Sequence, residues 1–303
     1  MLVSRAGISR ILGAFLLTTS YARAFEEEKL ASVSCGESVV LRISDGAPKQ
    51  GSIGIVELRS EAPLVSVNGF LGSEPLSFWH DDDARVFQAL FGVDLQKSPG
   101  TAALRAKAVP ESGPALECSV ELRIADGAFP VQRLEVAPKY VELSSEDLAR
   151  SKRESAELAE VFSSRTNERL WRGPFRAPVS DYHPSGSFGK RRVFNDQPRS
   201  PHSGEDFSAP AGTPVRATAR GRVVLSKGLF FLGNTVILDH GLGLFSFYGH
   251  LSSIAVEPGT LVESDSTIGQ VGATGRVTGA HLHWGVRLGD ARVDPMDLIA
   301  LGR

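Results

Sequence analysis

The chain of 303 residues is poor in cysteine, in net charge and in long apolar runs. Two cysteines are too few for a disulfide-dense small protein or for a zinc module held by cysteines. With 33 basic and 35 acidic side chains the formal net charge is −2, which argues against a nucleic-acid-binding role. No segment is apolar enough over ~20 residues to anchor the chain in a membrane. Apolar residues make up 42% and charged residues 22%, which excludes a largely disordered protein.

Residues 1–24 carry the pattern of a secretory signal peptide. The segment holds three arginines and no acidic residue, and the stretch from Ile11 to Leu17 is apolar. The alternative, an uncleaved anchor, needs an apolar run of ~20 residues. Because Ala22-Arg23-Ala24 is a small-x-small cleavage site, we expect cleavage after Ala24. The chain is then exported without a lipid anchor, to the periplasm rather than the external medium.

Export changes the interpretation of the two cysteines, Cys35 and Cys118. In an oxidising compartment two lone cysteines tend to pair, so we expect a Cys35–Cys118 disulfide. The closed loop of roughly 84 residues is worth roughly 4 kcal/mol in the chain-entropy model, less any strain. The alternative is a pair of buried free thiols.

Short runs rich in β-branched residues, bounded by turn residues, occur throughout residues 25–137. They are Val39–Ile43, Ile53–Leu58, Leu64–Val67, Leu104–Val109 and Val120–Ile124. Their spacing predicts an immunoglobulin-like β-sandwich of accessory role, with one cysteine near each end. The acidic run Asp81-Asp82-Asp83 fits a solvated turn better than a calcium site.

Residues 138–170 change in character and predict a helical linker. Ser144 or Ser145 can cap a helix over about residues 143–165, and acidic residues favour its first turn. Leu158, Val161 and Phe162 form a short apolar stripe, which predicts docking on a neighbouring domain. A coiled-coil partner site is the alternative, for which the stripe is short.

Histidines and one aspartate carry the chemistry of the C-terminal part. His202 and Asp206 stand four residues apart, and His250 ends an apolar strand. His281 and His283 share one face of a strand-like run, because side chains alternate with a period of two. A catalytic zinc takes three N/O ligands and keeps one position for water. Two histidines and the aspartate would satisfy it and leave two histidines for proton transfer or oxyanion stabilisation; spacing alone does not say which two.

Several segments of residues 185–298 follow the order and spacing of one known family. They are Phe188-Gly189-Lys190-Arg191, His202-Ser203-Gly204-Glu205-Asp206-Phe207, Gly221-Arg222-Val223-Val224, Gly233-Asn234-Thr235-Val236, Asp239-His240-Gly241, Tyr248-Gly249-His250-Leu251, Gly272-Ala273-Thr274-Gly275-Arg276, Thr278-Gly279-Ala280-His281-Leu282-His283-Trp284 and Val293-Asp294-Pro295. On these motifs the chain resembles the lysostaphin-type, or LytM-type, zinc endopeptidases. The resemblance implies a compact, mostly antiparallel β domain over residues 171–303, with a metal in a groove.

The resemblance also implies the site and the substrate. It implies one zinc ion per chain, bound by His202, Asp206 and His283. His250 and His281 then match the two unliganded catalytic histidines, with the base and oxyanion roles left open between them. The implied substrates are peptide bonds in peptidoglycan stem peptides or cross-links, cut during cell-wall remodelling, and the bond itself stays open.

For other side chains near these motifs, the sequence does not favour a catalytic role. His240 precedes a glycine, which favours a turn-stabilising role over catalysis. Glu205 adjoins Asp206 but points to the opposite face of a strand, so we expect no catalytic role. Arg276 fits equally a contact to a stem-peptide carboxylate or packing within its loop.

The sequence therefore predicts a mainly β protein: an N-terminal sandwich, a short linker helix and a C-terminal zinc peptidase domain. The leading hypothesis is a secreted zinc metalloendopeptidase acting on peptidoglycan. The alternative is a zinc-bound but autoinhibited or non-catalytic regulator or scaffold, whose groove the N-terminal region and linker helix would cover. A general extracellular protease is a third hypothesis, which predicts cleavage of casein-like proteins in preference to purified wall.

Overall fold

The computed structural model of the chain describes residues 30–135, 143–180 and 183–302. Within them the protein is mainly β and has two helices, which confirms the predicted class. The signal peptide expected at residues 1–24 lies outside the described residues. Neither described helix is long and apolar enough to cross a membrane.

The elements follow one another in three groups along the chain. The first strands are β1 (Ala31–Ser34), β2 (Val39–Ile43), β3 (Ile53–Ser60), β4 (Leu64–Leu71), β5 (Glu74–Leu76), β6 (Val86–Gly92), β7 (Gly100–Pro110), β8 (Leu116–Ile124) and β9 (Val131–Leu134). Helix α1 (Ser145–Ser163) comes next. The last group is β10 (Arg191–Phe194), β11 (Gln197–Pro198), β12 (Gly204–Phe207), β13 (Pro214–Arg216), β14 (Gly221–Leu229), β15 (Gly233–Gly241), β16 (Leu244–Leu251), β17 (Ser253–Ile254), β18 (Leu261–Val262), β19 (Thr267–Gln270), β20 (Leu282–Leu288), β21 (Ala291–Val293) and helix α2 (Pro295–Leu301).

Strands β1 to β8 form two four-stranded antiparallel sheets, in the orders β1-β2-β3-β6 and β5-β4-β7-β8. Leu41 and Leu58 of one sheet share a fully buried core with Leu104 and Leu122 of the other. The two sheets therefore form the predicted sandwich, here called the N-terminal sandwich, and its immunoglobulin-like character stays a prediction. The disulfide between Cys35 and Cys118 joins the end of β1 to β8, which confirms the predicted pairing.

Helix α1 begins after Ser144, whose hydroxyl accepts a hydrogen bond from the Asp147 amide. This satisfies one of the free N–H groups of the first turn, as an N-cap does. Near the other end of the helix, Phe162 is buried with its ring 5.6 Å from that of Phe245 and 6.1 Å from that of Phe247. The apolar stripe therefore docks on strand β16, within the same chain.

A seven-stranded antiparallel sheet forms the centre of the C-terminal part, in the order β12-β20-β16-β15-β14-β18, with β21 paired to β20. Strand β16 is buried along its whole length. On β20, Leu282 and Trp284 are fully buried in the core, and the Trp284 ring stacks on Phe207 of β12. Because side chains alternate along a strand, His281 and His283 emerge on the other face, as predicted.

The N-terminal sandwich packs directly against the C-terminal part. Trp79 and Trp171 meet edge to face with ring centroids 5.4 Å apart, in a core that also holds Ile53 and Leu90. Strand β9 pairs in parallel with β10, which leads into the motif of His202. The two parts therefore share a core and a sheet, and the predicted domain boundaries stay predictions.

Candidate metal centre

Two adjacent strands and one preceding loop bring His202, Asp206 and His283 together. Asp206 of β12 lies directly opposite His283 of β20 in the antiparallel register. His283 Nδ1 lies 2.9 Å, and His202 Nε2 3.2 Å, from the same oxygen, Asp206 Oδ1. One nitrogen or oxygen from each residue lies within 4.8 Å of the others. We call these three residues the metal cluster.

Hydrogen bonds donated to Ser187 orient the metal cluster. The His202 Nδ1–H group donates to the Ser187 carbonyl, at 3.1 Å, and the Asp206 amide donates to Ser187 Oγ, at 2.9 Å. A carbonyl oxygen only accepts, so the Nδ1 of a neutral His202 carries the proton and its Nε2 presents a lone pair to Asp206. The lone pairs of His202 Nε2 and Asp206 Oδ1, 3.2 Å apart, fit a cation bound by both atoms.

The donor set suits zinc. Two imidazole nitrogens and one carboxylate oxygen are the ligands of a catalytic zinc site that keeps its fourth position for water. The metal cluster therefore fits the zinc ion that the sequence motifs imply.

His250 and His281 stand beside the metal cluster. The His250 ring lies 4.8 Å from that of His281 and 5.8 Å from that of His283, measured between centroids. Each orients its ring by an Nδ1–H donated to a backbone carbonyl, His250 to Thr274 and His281 to Gly279, both at 2.9 Å. This fixes the tautomer in which Nε2 carries the lone pair. The structure thus brings all five predicted site residues together.

The backbone of His250 is in an uncommon conformation. Its φ is 64°, the left-handed region that few residues other than glycine adopt. Its amide donates a 2.6 Å hydrogen bond to the carbonyl of Leu232, in the turn between β14 and β15. A strained conformation persists only where the surroundings hold it, so this bond helps to fix where the imidazole stands.

The surroundings lower the pKa of both Asp206 and His250, which keeps Asp206 charged and His250 neutral. Burial raises the pKa of Asp206, but the adjacent imidazoles of His202 and His283 outweigh it and hold that pKa well below its usual range. Burial, reinforced by the nearby His283, lowers the pKa of His250 to about 4. At neutral pH the Asp206 carboxylate is therefore anionic, and the His250 imidazole beside the metal cluster is uncharged.

Solvent reaches the cluster from one side. The side chains of Asp206 and His281 are 21% and 23% exposed, whereas those of His202 and His283 are 9% and 6% exposed. On the exposed side, Arg192 Nη2 of strand β10 lies 3.7 Å from Asp206 Oδ2. A substrate would therefore approach past Asp206 and His281.

Sequence reasoning missed Ser187 and Arg192. Ser187 immediately precedes the Phe188-Gly189-Lys190-Arg191 motif, and Arg192 immediately follows it. Neither belongs to a recognisable motif: Ser187 acts through its carbonyl and its hydroxyl, and the Arg192 side chain reaches Asp206 only in the folded chain. Their nearness to that motif is the one signal that could have found them.

The secondary candidates lie outside the cluster. His240 is fully buried within β15, where its ring bonds to the Arg220 carbonyl and to Ser246 Oγ, so it belongs to a core network rather than to a turn. Glu205 points away from the histidines, as predicted, and accepts the Ser187 and Phe188 amides. Arg276 lies over the Phe230 and Phe231 rings.

Comparison with known proteins finds a family that matches the region of the metal cluster and a solved structure that matches most of the chain. The model of peptidase family M23 matches residues 200–295, which contain the whole metal cluster. A Pseudomonas aeruginosa protein, whose crystal structure was described as that of a candidate M23 peptidase, is 31% identical. That likeness covers 84% of this chain and 96% of the other, with a TM-score of 0.59.

Two curated relatives match a shorter stretch. The peptidoglycan DD-endopeptidase ShyA of Vibrio cholerae is 39% identical over 125 residues, which are 41% of this chain and 29% of that protein. The DD-carboxypeptidase/endopeptidase Mpg of Neisseria meningitidis is 40% identical over 97 residues, 32% of this chain and 22% of that protein. The match spans less than a third of the length of each.

Proposed function

The chain belongs to peptidase family M23, and we propose that it is a zinc-dependent endopeptidase that hydrolyses peptide bonds in bacterial peptidoglycan, in stem peptides or cross-links. The observation that carries this proposal is the convergence of the metal cluster with two further histidines on one solvent-accessible face. The Vibrio cholerae relative, a peptidoglycan DD-endopeptidase, supports the substrate class, and the DD-carboxypeptidase/endopeptidase of Neisseria meningitidis supports the reaction class.

In this proposal His202, Asp206 and His283 hold one zinc ion per chain. The bound metal supplies Lewis-acid chemistry, polarising the scissile carbonyl and lowering the pKa of a water molecule. Ser187 keeps His202 and Asp206 in the binding orientation through its carbonyl and its hydroxyl. The low pKa of Asp206 supports binding, because the carboxylate stays ionised at every pH at which the histidines are neutral.

His250 and His281 handle protons at the reacting peptide. Both rings are oriented by Nδ1–H bonds to carbonyls, which leaves the lone pair on Nε2, and His281 Nε2 lies 3.8 Å from Asp206 Oδ1. A neutral imidazole takes the proton of the attacking water, and an imidazole N–H donates to the oxyanion or to the leaving amine. We assign these tasks to the pair as a unit.

We further propose that the protein works outside the cytoplasm, in the periplasm. The signal-peptide pattern of residues 1–24 supports export. The Cys35–Cys118 disulfide agrees with it, because disulfides persist in oxidising compartments.

The first prediction concerns the division between ligands and proton-handling residues. His283→Ala removes a ligand and is expected to lose both zinc and hydrolysis. His281→Ala is expected to keep one zinc per chain and to lose about 10²-fold or more in rate, because general acid–base groups contribute that much. Zinc content by atomic spectroscopy and new amino ends released from purified peptidoglycan measure the two effects on the same samples.

Three outcomes would contradict parts of the proposal. An active His281→Ala protein would overturn the role of that residue. Stoichiometric zinc in a wild-type protein that digests no peptidoglycan would favour the autoinhibited or non-catalytic regulator. Cleavage of casein-like proteins in preference to purified wall would favour a general protease.

A further inference from the structure

The turn of residues 230–232, between β14 and β15, supports His250 through its backbone. The Leu232 carbonyl accepts the His250 amide at 2.6 Å, the short bond that accompanies the left-handed φ of His250. We call residues 230–232 the hairpin turn. If the hairpin turn shifts, the acceptor that holds this backbone conformation shifts with it.

The hairpin turn also supports the loop that orients the His250 ring. The Phe231 carbonyl accepts the amide of Arg276 at 3.1 Å. Directly after the turn, the amide of Asn234 donates to Thr274 Oγ1 at 2.9 Å, and it is the Thr274 carbonyl that accepts His250 Nδ1–H. The hairpin turn therefore accepts the His250 amide directly, and it contacts, together with the start of β15, the loop whose Thr274 carbonyl accepts His250 Nδ1–H.

Helix α1 holds the other side of the hairpin turn. Glu154 Oε2 accepts the amide of Phe230 at 2.7 Å, and Glu154 Oε1 accepts Arg150 Nε at 2.7 Å. The Arg150 guanidinium in turn lies 5.7 Å from the centroid of the Phe230 ring. The Glu154 side chain is only 16% exposed, so its hydrogen bond to the amide is charge-assisted and partly shielded from water.

We propose that Glu154 is a positioning residue for His250, acting through the hairpin turn. The inference rests on the proposed function, since it assigns a residue to the same reaction. Glu154 touches neither the metal cluster nor His250, and it lies outside residues 200–295 that the family model matches. Its carboxylate fixes the Phe230 amide, the turn then fixes the Leu232 carbonyl, and that carbonyl fixes the His250 backbone.

A second contact of α1 points the same way. Phe162 packs on Phe247 at 6.1 Å, and the Phe247 ring lies 5.6 Å from the ring of His283. Phe247 and His283 share one face of the sheet, so the helix packs on the face that also carries the metal cluster.

Three variants of the full chain test the proposal. Glu154→Ala removes the acceptor of the Phe230 amide, whereas Glu154→Gln keeps an oxygen that can accept it. Glu157→Gln is the matched control: it breaks the half-exposed ion pair with Lys227 on the same helix and touches no part of the hairpin turn. The measurements are kcat and KM on peptidoglycan, zinc content, and hydrogen exchange of the His250 amide.

We expect Glu154→Ala to lower kcat about tenfold, since small displacements of a catalytic group cost one to two powers of ten. KM and zinc content are expected to stay at wild-type values, because the substrate and the metal cluster keep their contacts. The His250 amide should exchange faster in Glu154→Ala alone. Glu154→Gln is expected to recover most of the rate, and Glu157→Gln to match the wild type.

An unchanged kcat and unchanged His250 exchange in Glu154→Ala would overturn the proposal. An equal loss in Glu157→Gln would also overturn it, because the helix would then act only through general stability. Failure of the proposed function is a separate result. If the wild-type protein hydrolyses no peptidoglycan, hydrogen exchange of the His250 amide still tests whether Glu154 is coupled to His250. Faster exchange at His250 in Glu154→Ala alone would still support the coupling in that case.

Discussion

The neighbouring carboxylates of Glu205 and Asp206 have different roles because side chains alternate along strand β12 and these two lie on opposite faces. Asp206 meets the histidines of the metal cluster. Glu205 is buried on the other face, where it accepts the amides of Ser187 and Phe188. Since Ser187 in turn orients His202 and Asp206, Glu205 supports the metal cluster from behind without touching it.

Glu205→Ala tests this support. The variant leaves two buried amide donors without an acceptor, which costs about 2–4 kcal/mol of unfolding free energy. It is also expected to weaken zinc binding, because Ser187 loses its anchor. Urea unfolding and competition with a zinc chelator measure the two effects.

Glu263→Ala is the control for Glu205→Ala. Its carboxylate is 71% exposed and pairs with Arg220, so its removal should cost less than about 1 kcal/mol. Equal and small losses in both variants would show that the two amides find other partners, and the supporting role would be wrong.

At the site, the residues that bind metal or move protons were predictable from the sequence, and the residues that orient them were not. The five site residues stand out because histidine and carboxylate side chains are zinc ligands and proton carriers. Leu232 acts through its carbonyl and Ser187 through its carbonyl and an ordinary serine hydroxyl, so no side-chain pattern distinguishes them. Only the folded path of the chain brings these carbonyls to His202 and His250.

At the scale of elements, segments with a clear local pattern were predictable, whereas strands that depend on a distant partner were not. Strand β2 has the predicted bounds, Val39–Ile43, and the helix expected over about residues 143–165 runs from Ser145 to Ser163. Strands β9 and β10 are four residues each and pair in parallel across a long chain separation. Such strands exist because of the partner that tertiary packing provides, which local sequence does not show.

Helix α2 begins with a cap whose charge is unfavourable. Asp294 Oδ1 accepts the Met296 amide at 2.9 Å, and its own amide donates to the Gly51 carbonyl at 2.7 Å. Burial, followed by the nearby Asp297, raises the pKa of Asp294 to about 6. A raised folded-state pKa stabilises the protein fully below the ordinary value of about 4, and this contribution is lost as pH rises through about 6.

Asp294→Asn is therefore expected to stabilise the protein at pH 8 by about 2–3 kcal/mol, because asparagine caps a helix equally well without a charge. At pH 4 the gain should vanish, since Asp294 is then protonated in the folded state. Urea unfolding at the two pH values checks this, with exposed Asp290→Asn as the control. A variant less stable than the wild type at pH 8 would show that the helix dipole outweighs burial.

On the scale of the whole molecule, the N-terminal sandwich and the C-terminal part share structure that composition could not reveal. Trp79 and Trp171 are far apart in sequence, yet they meet at 5.4 Å in one core. A chain shortened to begin near Trp171 would expose that core and remove β9, one of the two strands that pair with β10. Point variants of the full chain therefore test autoinhibition more cleanly than truncation does.

One ion pair joins the two parts across this contact. Asp94 follows β6, and its carboxylate accepts the backbone amide, Nε and Nη2 of Arg292 in β21, at 2.7–3.0 Å. Burial raises the pKa of Asp94, but the bonds from Arg292 outweigh it and lower that pKa below its usual value. A depressed folded-state pKa stabilises the protein above the ordinary value of about 4, and this contribution is lost as pH falls through the lower value.

Asp94→Asn removes the charge and with it this acid sensitivity. At pH 7 the variant is expected to lose about 2 kcal/mol, since hydrogen bonds to a partly buried charged group contribute that much. Between pH 5 and about pH 3 the wild type should lose stability more steeply than the variant. Asp83→Asn is the control, because its pair with Arg85 is exposed, lies within one turn and joins no two parts of the fold. Parallel acid limbs for wild type and Asp94→Asn, measured by urea unfolding, would mean that this pair does not couple the two parts.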